Sequence, residues 1–203
     1  DQGSRGFSFR FDGPLDMRMD TSRGRTAADI VNSMPEKELA DLIYKYGEER
    51  HSRRVAKKII ERRREKKFET TSDLAEVVRS VVPRNGDDID PATRTFQALR
   101  IAVNDELGEL ERALGAAERI LNPGGRVIIV SFHSLEDSMV KDVLRKKSGN
   151  EPGVSRHLLP VKTQETPVFT LTSKKAVQPG EQEARQNPRA RSARLRSAVR
   201  RAE

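Results

Sequence analysis

Residues 1–25 show no regular period; from there apolar residues recur at helical spacing to about position 120, and the pattern then changes. Thr26, with Asp29 three residues on, has the form of a helix start. Leu39, Leu42, Ile43 and Tyr46 follow the i, i+3, i+4, i+7 rule of an amphipathic helix, and Gly47 ends it. A second helix is expected from Glu48 to about Lys67, with Val55 and Ile59 facing inward. Thr71 or Ser72 is placed to cap a third, whose apolar face is Leu74, Val77, Val78 and Val81. Pro83 to Asp88 reads as a loop. Asp90-Pro91 then suggests an N-cap followed by proline at the first helical position. Phe96, Leu99, Val103, Leu107, Leu110, Leu114 and Ala117 continue one stripe, so a single long helix is predicted. Asn122-Pro123-Gly124-Gly125 stops it.

Val127 to Val130 is a continuous apolar run, the pattern of a strand buried on both faces. Ser134 is placed to cap the next helix with Asp137 at the reciprocal position. Lys141, Arg145, Lys146 and Lys147 follow toward the helix end. Residues 148–160 read as loop, Pro167 to Thr172 as a second strand, and Leu158 to Lys162 as a site for a short third. The tail from Pro179 is polar, with a turn at Asn187-Pro188. Helices, strand, helix and further strands make an α/β fold. The expected division is a loop over 1–25, a helical domain over 26–88 and an α/β part over 89–203. A doubly buried strand needs sheet neighbours, and too few are visible, so further strands are expected before residue 1.

Charge adds a location to this outline. Of 203 residues, 39 are Lys or Arg and 31 Asp or Glu, a net charge of +8. Ten basic residues between Arg50 and Lys67 face only Glu61 and Glu65, so this one segment accounts for the excess. Arg185 to Arg201 holds seven arginines and no acid, balanced by acids elsewhere. A single charge run is often a solvated helix face. Two runs favour a polyanion, since clustered cations release counterions from phosphates. The absence of cysteine excludes disulfides, a thiolate zinc site and a cysteine nucleophile. Three histidines, at 51, 133 and 157, give no basis for a multi-histidine metal site. No apolar run is long enough for a membrane helix, and the first twenty residues do not resemble a signal peptide, so a soluble cytoplasmic protein is expected.

Six blocks carry a resemblance. They are Arg5 to Arg10 with Gly13 to Asp20, Tyr46 to Arg50, Pro91 to Ile101, Ser131 to Asp137, and Asn187 to Ser192. In this order they resemble the bacterial MraW/RsmH family of ribosomal small-subunit RNA (cytosine-N4) methyltransferases. The resemblance implies a Rossmann-like class I methyltransferase domain carrying an inserted all-helical domain. It further implies S-adenosyl-L-methionine as cofactor and 16S ribosomal RNA or the small subunit as partner, and it leaves a homodimer open. The family's glycine-rich cofactor segment has no counterpart here. Gly124-Gly125 follows a helix and precedes a strand, the reverse of a nucleotide loop. The chain therefore looks like the C-terminal two-thirds of such an enzyme, expected to be inactive and to bind the cofactor poorly by itself.

Methylation of a cytosine amine needs acceptors for its N–H groups and a held base near the methyl donor, without a metal. By residue type, Ser131-Phe132-His133-Ser134 is either such an edge or a strand end with Phe132 in the core. The resemblance favours the first for Ser131 and His133, and a catalytic set of Ser131, Phe132 and His133. Asp16 and Arg18 either fix their loop by pairing or line the cofactor pocket. Asn104, Arg94 and Arg100 either face the site or are simply exposed. Arg50, Arg53, Arg54, Lys57 and Lys58 are the expected RNA contacts, with Arg189 and Arg191 as further phosphate contacts or as clamps for the C-terminus. Tyr44 or Tyr46 is placed to stack on RNA, Tyr46 fitting the core better. The rival reading is a non-enzymatic RNA-binding or ribosome-assembly protein. A DNA-binding module is weaker, because no recognition-helix motif occurs.

Overall fold

The computed structural model describes residues 3–84, 89–150 and 166–202. It divides into two compact units, Asp1–Glu106 and Leu107–Glu203. The division lies at residue 106 rather than at the expected 88, because the helix after Asp90 packs with the helices before it.

The first unit is helical: α1 (Ala27–Ser33), α2 (Glu36–Gly47), α3 (Ser52–Glu65), α4 (Thr71–Val81) and α5 (Thr93–Asn104). Thr26 and Asp29 form the expected capping box at the start of α1. α2 packs on both α3 and α5, and α4 packs on α3. Leu39, Ile43, Val55, Ile59, Leu74, Val78 and Leu99 are fully buried between them. Gly47 sits where α2 meets α5, so close that a Cβ would collide with the Arg94 carbonyl. Residues 3–25 are more than a connector. Leu15 and Met17 lie in the same core, and Leu15 N–H donates to the Glu69 carbonyl at 2.8 Å.

Three helix starts in this unit differ from expectation, and the first is α3, which begins at Ser52 rather than Glu48. Thr70, not Thr71 or Ser72, caps α4 by accepting from Asp73 N–H. Asp90 does not cap α5 directly. Its carboxylate accepts from Ala92 N–H at 2.9 Å and pairs with Arg79 at 2.8 Å, and the helix proper starts at Thr93. The predicted single helix over 91–121 is two, α5 and α6 (Glu106–Ile120), separated by Asp105 in the left-handed region at φ 47°. Asn and Asp tolerate that conformation, so the chain turns without disturbing the apolar spacing.

The second unit joins α6 to β1 (Arg126–Ser131), α7 (Ser134–Lys147), β2 (Phe169–Leu171), α8 (Glu181–Gln186) and β3 (Arg194–Arg200). The sheet order is β1-β3-β2, with β3 antiparallel to both neighbours. β1 and β2 are thus mutually parallel and joined through α7. β3 lies in the tail whose sequence reads only as polar, with a turn at Asn187-Pro188, and the stretch before that turn contains α8. The segment proposed for a third strand, Leu158 to Lys162, lies outside the described residues.

β1 is not buried on both faces. Val127 and Ile129 turn toward a core with Leu114, Val140, Leu144, Phe169 and Ala198. Ile128 and Val130 remain 59% and 49% exposed on the opposite face. Among the described residues no element covers that face, because α7 packs on one side of the sheet only.

Candidate functional site

The C-terminal end of β1 supplies the first candidate site. Ser131 points to the helix-covered side and is buried, and its hydroxyl donates to the Arg194 carbonyl at 3.3 Å. Phe132 is not a core residue: it is 55% exposed and follows Ile128 and Val130 on the open face. His133, rather than Ser134, caps α7. Its Nδ1 accepts from Glu136 N–H at 3.3 Å, which leaves the ring proton of the neutral tautomer on Nε2. Nε2 lies 3.3 Å from Glu136 Oε1, but off a hydrogen-bonding direction, and is buried without a hydrogen-bond partner among the described residues.

Glu136 and Asp137 do more than begin a helix. Glu136 Oε2 accepts from Phe132 N–H at 3.0 Å. Burial opposes its ionisation, but the His133 side chain and the Phe132 N–H outweigh that and hold the carboxyl below its usual range. Asp137 makes a two-pronged ion pair with Arg196 of β3, at 2.7 and 3.0 Å. Arg196 lowers its carboxyl, burial opposes this, and Arg194 and Lys141 add to the lowering. Asp137 was expected to complete the cap; instead it ties α7 to β3. Neither partner was legible as a pair, since 59 residues separate them.

In the helical unit, Asp16 and Arg18 bond to each other through two contacts of 2.7 and 2.9 Å. Arg18 lowers the Asp16 carboxyl against the effect of burial. The pair that the loop-fixing reading calls for is formed. Met17 between them is buried at φ 63°, a strained conformation for a long side chain. Asn104 is neither exposed nor aimed at solvent: its amide donates to Met17 O at 2.8 Å and accepts from Met19 N–H at 2.7 Å. Arg5 adds bonds to the Arg18 and Met19 carbonyls. Arg100 pairs with Glu106 at 2.8 Å, and Arg94 reaches the Glu48 carbonyl at 3.4 Å.

The basic run sorts by helix face. Arg53, Arg54, Lys57 and Lys58 are exposed on α3, opposite buried Val55, Ala56, Ile59 and Ile60. At 100° per residue, Arg53, Lys57 and Arg64 fall within about 40° of one another along roughly 16 Å of helix. Lys58 also meets Glu61 at 3.4 Å. Arg50 is exposed but precedes the helix, in a turn. Two arginines of the run hold the fold instead. Arg63 donates to the Val31 and Met34 carbonyls at the end of α1, and Arg62 pairs with Asp73 and lies over the Phe68 ring. Tyr44 is 64% exposed on α2, whereas Tyr46 is half-buried beneath Lys45. Arg189 and Arg191 are exposed around a 3₁₀ turn (Pro188–Ala190), where Asn187 accepts from Arg189 N–H just before β3.

The MraW methylase family model matches residues 1–201. The chain belongs to the MraW methylase family. It is similar to proteins named ribosomal RNA small subunit methyltransferase H in three bacteria. The one from Paramagnetospirillum magneticum is 64% identical over 98% of this chain and 63% of its own length. The one from Rhodospirillum centenum is 64% identical over 98% and 60%, and that from Caulobacter vibrioides 58% identical over 98% and 64%. The chain therefore spans about three-fifths of the length of these curated relatives. For a family of methylases, the described residues offer little to a nucleoside cofactor. No strand among them leads through a glycine-rich turn into a helix, and both oxygens of Asp16 are taken by Arg18. The described residues do not fit that group, and no step is assigned to it. No described helix is long and apolar enough to cross a membrane.

Proposed function

We propose that this chain supplies the RNA-gripping and base-holding part of an S-adenosylmethionine-dependent enzyme that methylates N4 of a cytidine in small-subunit (16S) ribosomal RNA. The family match over residues 1–201 carries this reading. The parallel pair β1 and β2, joined through α7, supports a Rossmann-like sheet. The helical unit, α1 to α5, has the character of a domain inserted into it.

The α3 stripe engages RNA phosphates, and Arg50, Arg54 and Lys58 extend it. Arg189 and Arg191 contribute further cations. At the strand end, the exposed Phe132 ring stacks on the base, while Ser131 and His133 hold the turn that presents it. Stacking and restraint of the base leave its amine in one orientation toward the methyl donor.

The test uses the whole protein, small ribosomal subunits from a strain lacking the gene, and methyl-labelled S-adenosylmethionine. Mass spectrometry of the digested RNA should show N4-methylcytidine. Label at another base, or none, refutes the reading. RNA binding without transfer supports a ribosome-assembly role instead. Calorimetry on the 203-residue chain alone should show no micromolar binding of S-adenosylmethionine.

A further inference from the structure

We propose that the cleft where α7 meets the ends of β2 and β3 is a phosphate site for RNA, separate from the strand end and from the α3 stripe. The proposal rests on the RNA reading above. The cleft, shallow and partly open to solvent, is walled by Lys141 and Arg145 of α7, Lys174 beyond β2 and Arg196 of β3. Leu144 and Leu171 form an apolar floor.

The charge balance points to an anion. Arg196 is matched by Asp137, which also sits near Lys141. No ion pair occurs for Lys141, Arg145 or Lys174 among the described residues. Lys141 and Arg145 stand one turn apart on α7, where like charges repel, and Asp137, one turn before Lys141 and already paired with Arg196, offsets only part of that repulsion. The dipole at the end of α7 accounts for Arg145 but not for Lys141 in mid-helix, nor for Lys174 on another element. An arginine fork and two ammonium groups over an apolar floor suit the oxygens of a phosphate.

The cleft lies in the same unit as the strand end. Asp137 stands one turn beyond His133 and bonds to Arg196 in the cleft wall. Lys141 is about 10 Å along α7 from Ser134 at 1.5 Å per residue.

The experiment compares the whole protein with its K141Q/R145Q/K174Q variant, measuring anisotropy of a labelled small-subunit RNA fragment over a salt series. The slope of log affinity against log salt should flatten by about 2, at roughly 0.7–0.9 per lost cation. K174Q alone, on an exposed position outside any helix, should flatten it by about 0.8. An unchanged slope in both variants overturns the proposal while leaving the functional reading in place, provided the wild type binds RNA. A wild type that fails to bind RNA overturns both.

Discussion

The Asp137–Arg196 pair gives the sharpest test of how the strand-end site is held. Both side chains are 14% exposed, and two charge-assisted hydrogen bonds join them. Asp137→Asn leaves a largely buried guanidinium without its counter-ion. Hydrogen bonds to charged groups contribute about 1.5–3 kcal/mol, and the residual exposure keeps the loss below that of a fully buried pair. We expect about 2 kcal/mol of destabilisation near neutral pH, or a fall of about 4–8 °C in the melting temperature for a chain of this size. The pH dependence has a definite sign. Arg196 depresses the folded-state carboxyl below its ordinary 3.8, so its stabilisation is present above that value and lost as pH falls through the folded pKa. Denaturation of wild type and variant across pH should therefore show a constant gap from neutral pH to about 5 and a closing gap below about 4. A gap that persists at low pH, or none at neutral pH, refutes the reasoning.

Three further outcomes follow from the geometry. Reversing charge at Arg53, Arg54 and Lys57 should flatten the salt dependence of RNA binding by about 2–3 without lowering the melting temperature, whereas Arg63→Ala should cost stability, about 1–3 kcal/mol, and leave the slope within about 1 of wild type. Gly47→Ala should cost about 1–3 kcal/mol by thermal melting, because the added Cβ forces α2 off the Arg94 carbonyl. His133→Ala should lose about 1 kcal/mol through the missing cap, with stability and methyl transfer both recovered in His133→Asn; transfer that stays lost in the asparagine variant would give the ring a direct role.

The legible parts of the fold were those where local chemistry and burial agree. Thr26 and Asp29 satisfy each other within one turn, and α2 to α4 repeat their apolar faces at helical spacing. β3 was hidden because its inward positions include Arg196 and Arg200, whose stems cross the sheet before the charges find Asp137 and the Glu118 carbonyl. Arginine at every second position from 194, broken only by Ala198, was the available signal. The break at Asp105 was hidden for a different reason: Val103 and Leu107 keep the helical spacing across it, and only the Asn104-Asp105 dipeptide marks the turn. The candidate site was legible as a location and less so as roles. Ser131 and His133 fall where expected, but their side chains are occupied in holding the strand end. Histidine is seldom read as a cap, and a carboxylate partner 59 residues away leaves no trace in local spacing.

The open face of β1 has a consequence for how the sheet chooses its pairing. Arg126-Val127-Ile128-Ile129-Val130-Ser131 is apolar at both alternations. A slip of one residue would exchange one apolar set for the other, with little change in what is buried. Hydrophobicity thus selects register weakly here, and selection falls on polar fasteners. Arg196 and Arg200 lie four residues apart on one face of β3, reaching α7 and α6. A slip taken up by β3 instead of β1 would turn both away together, leaving Asp137 bare and two guanidinium groups on the wrong side. The arginines that look like a basic tail thus fix which face β3 turns toward α7 and α6, by charge and hydrogen bonding rather than by hydrocarbon.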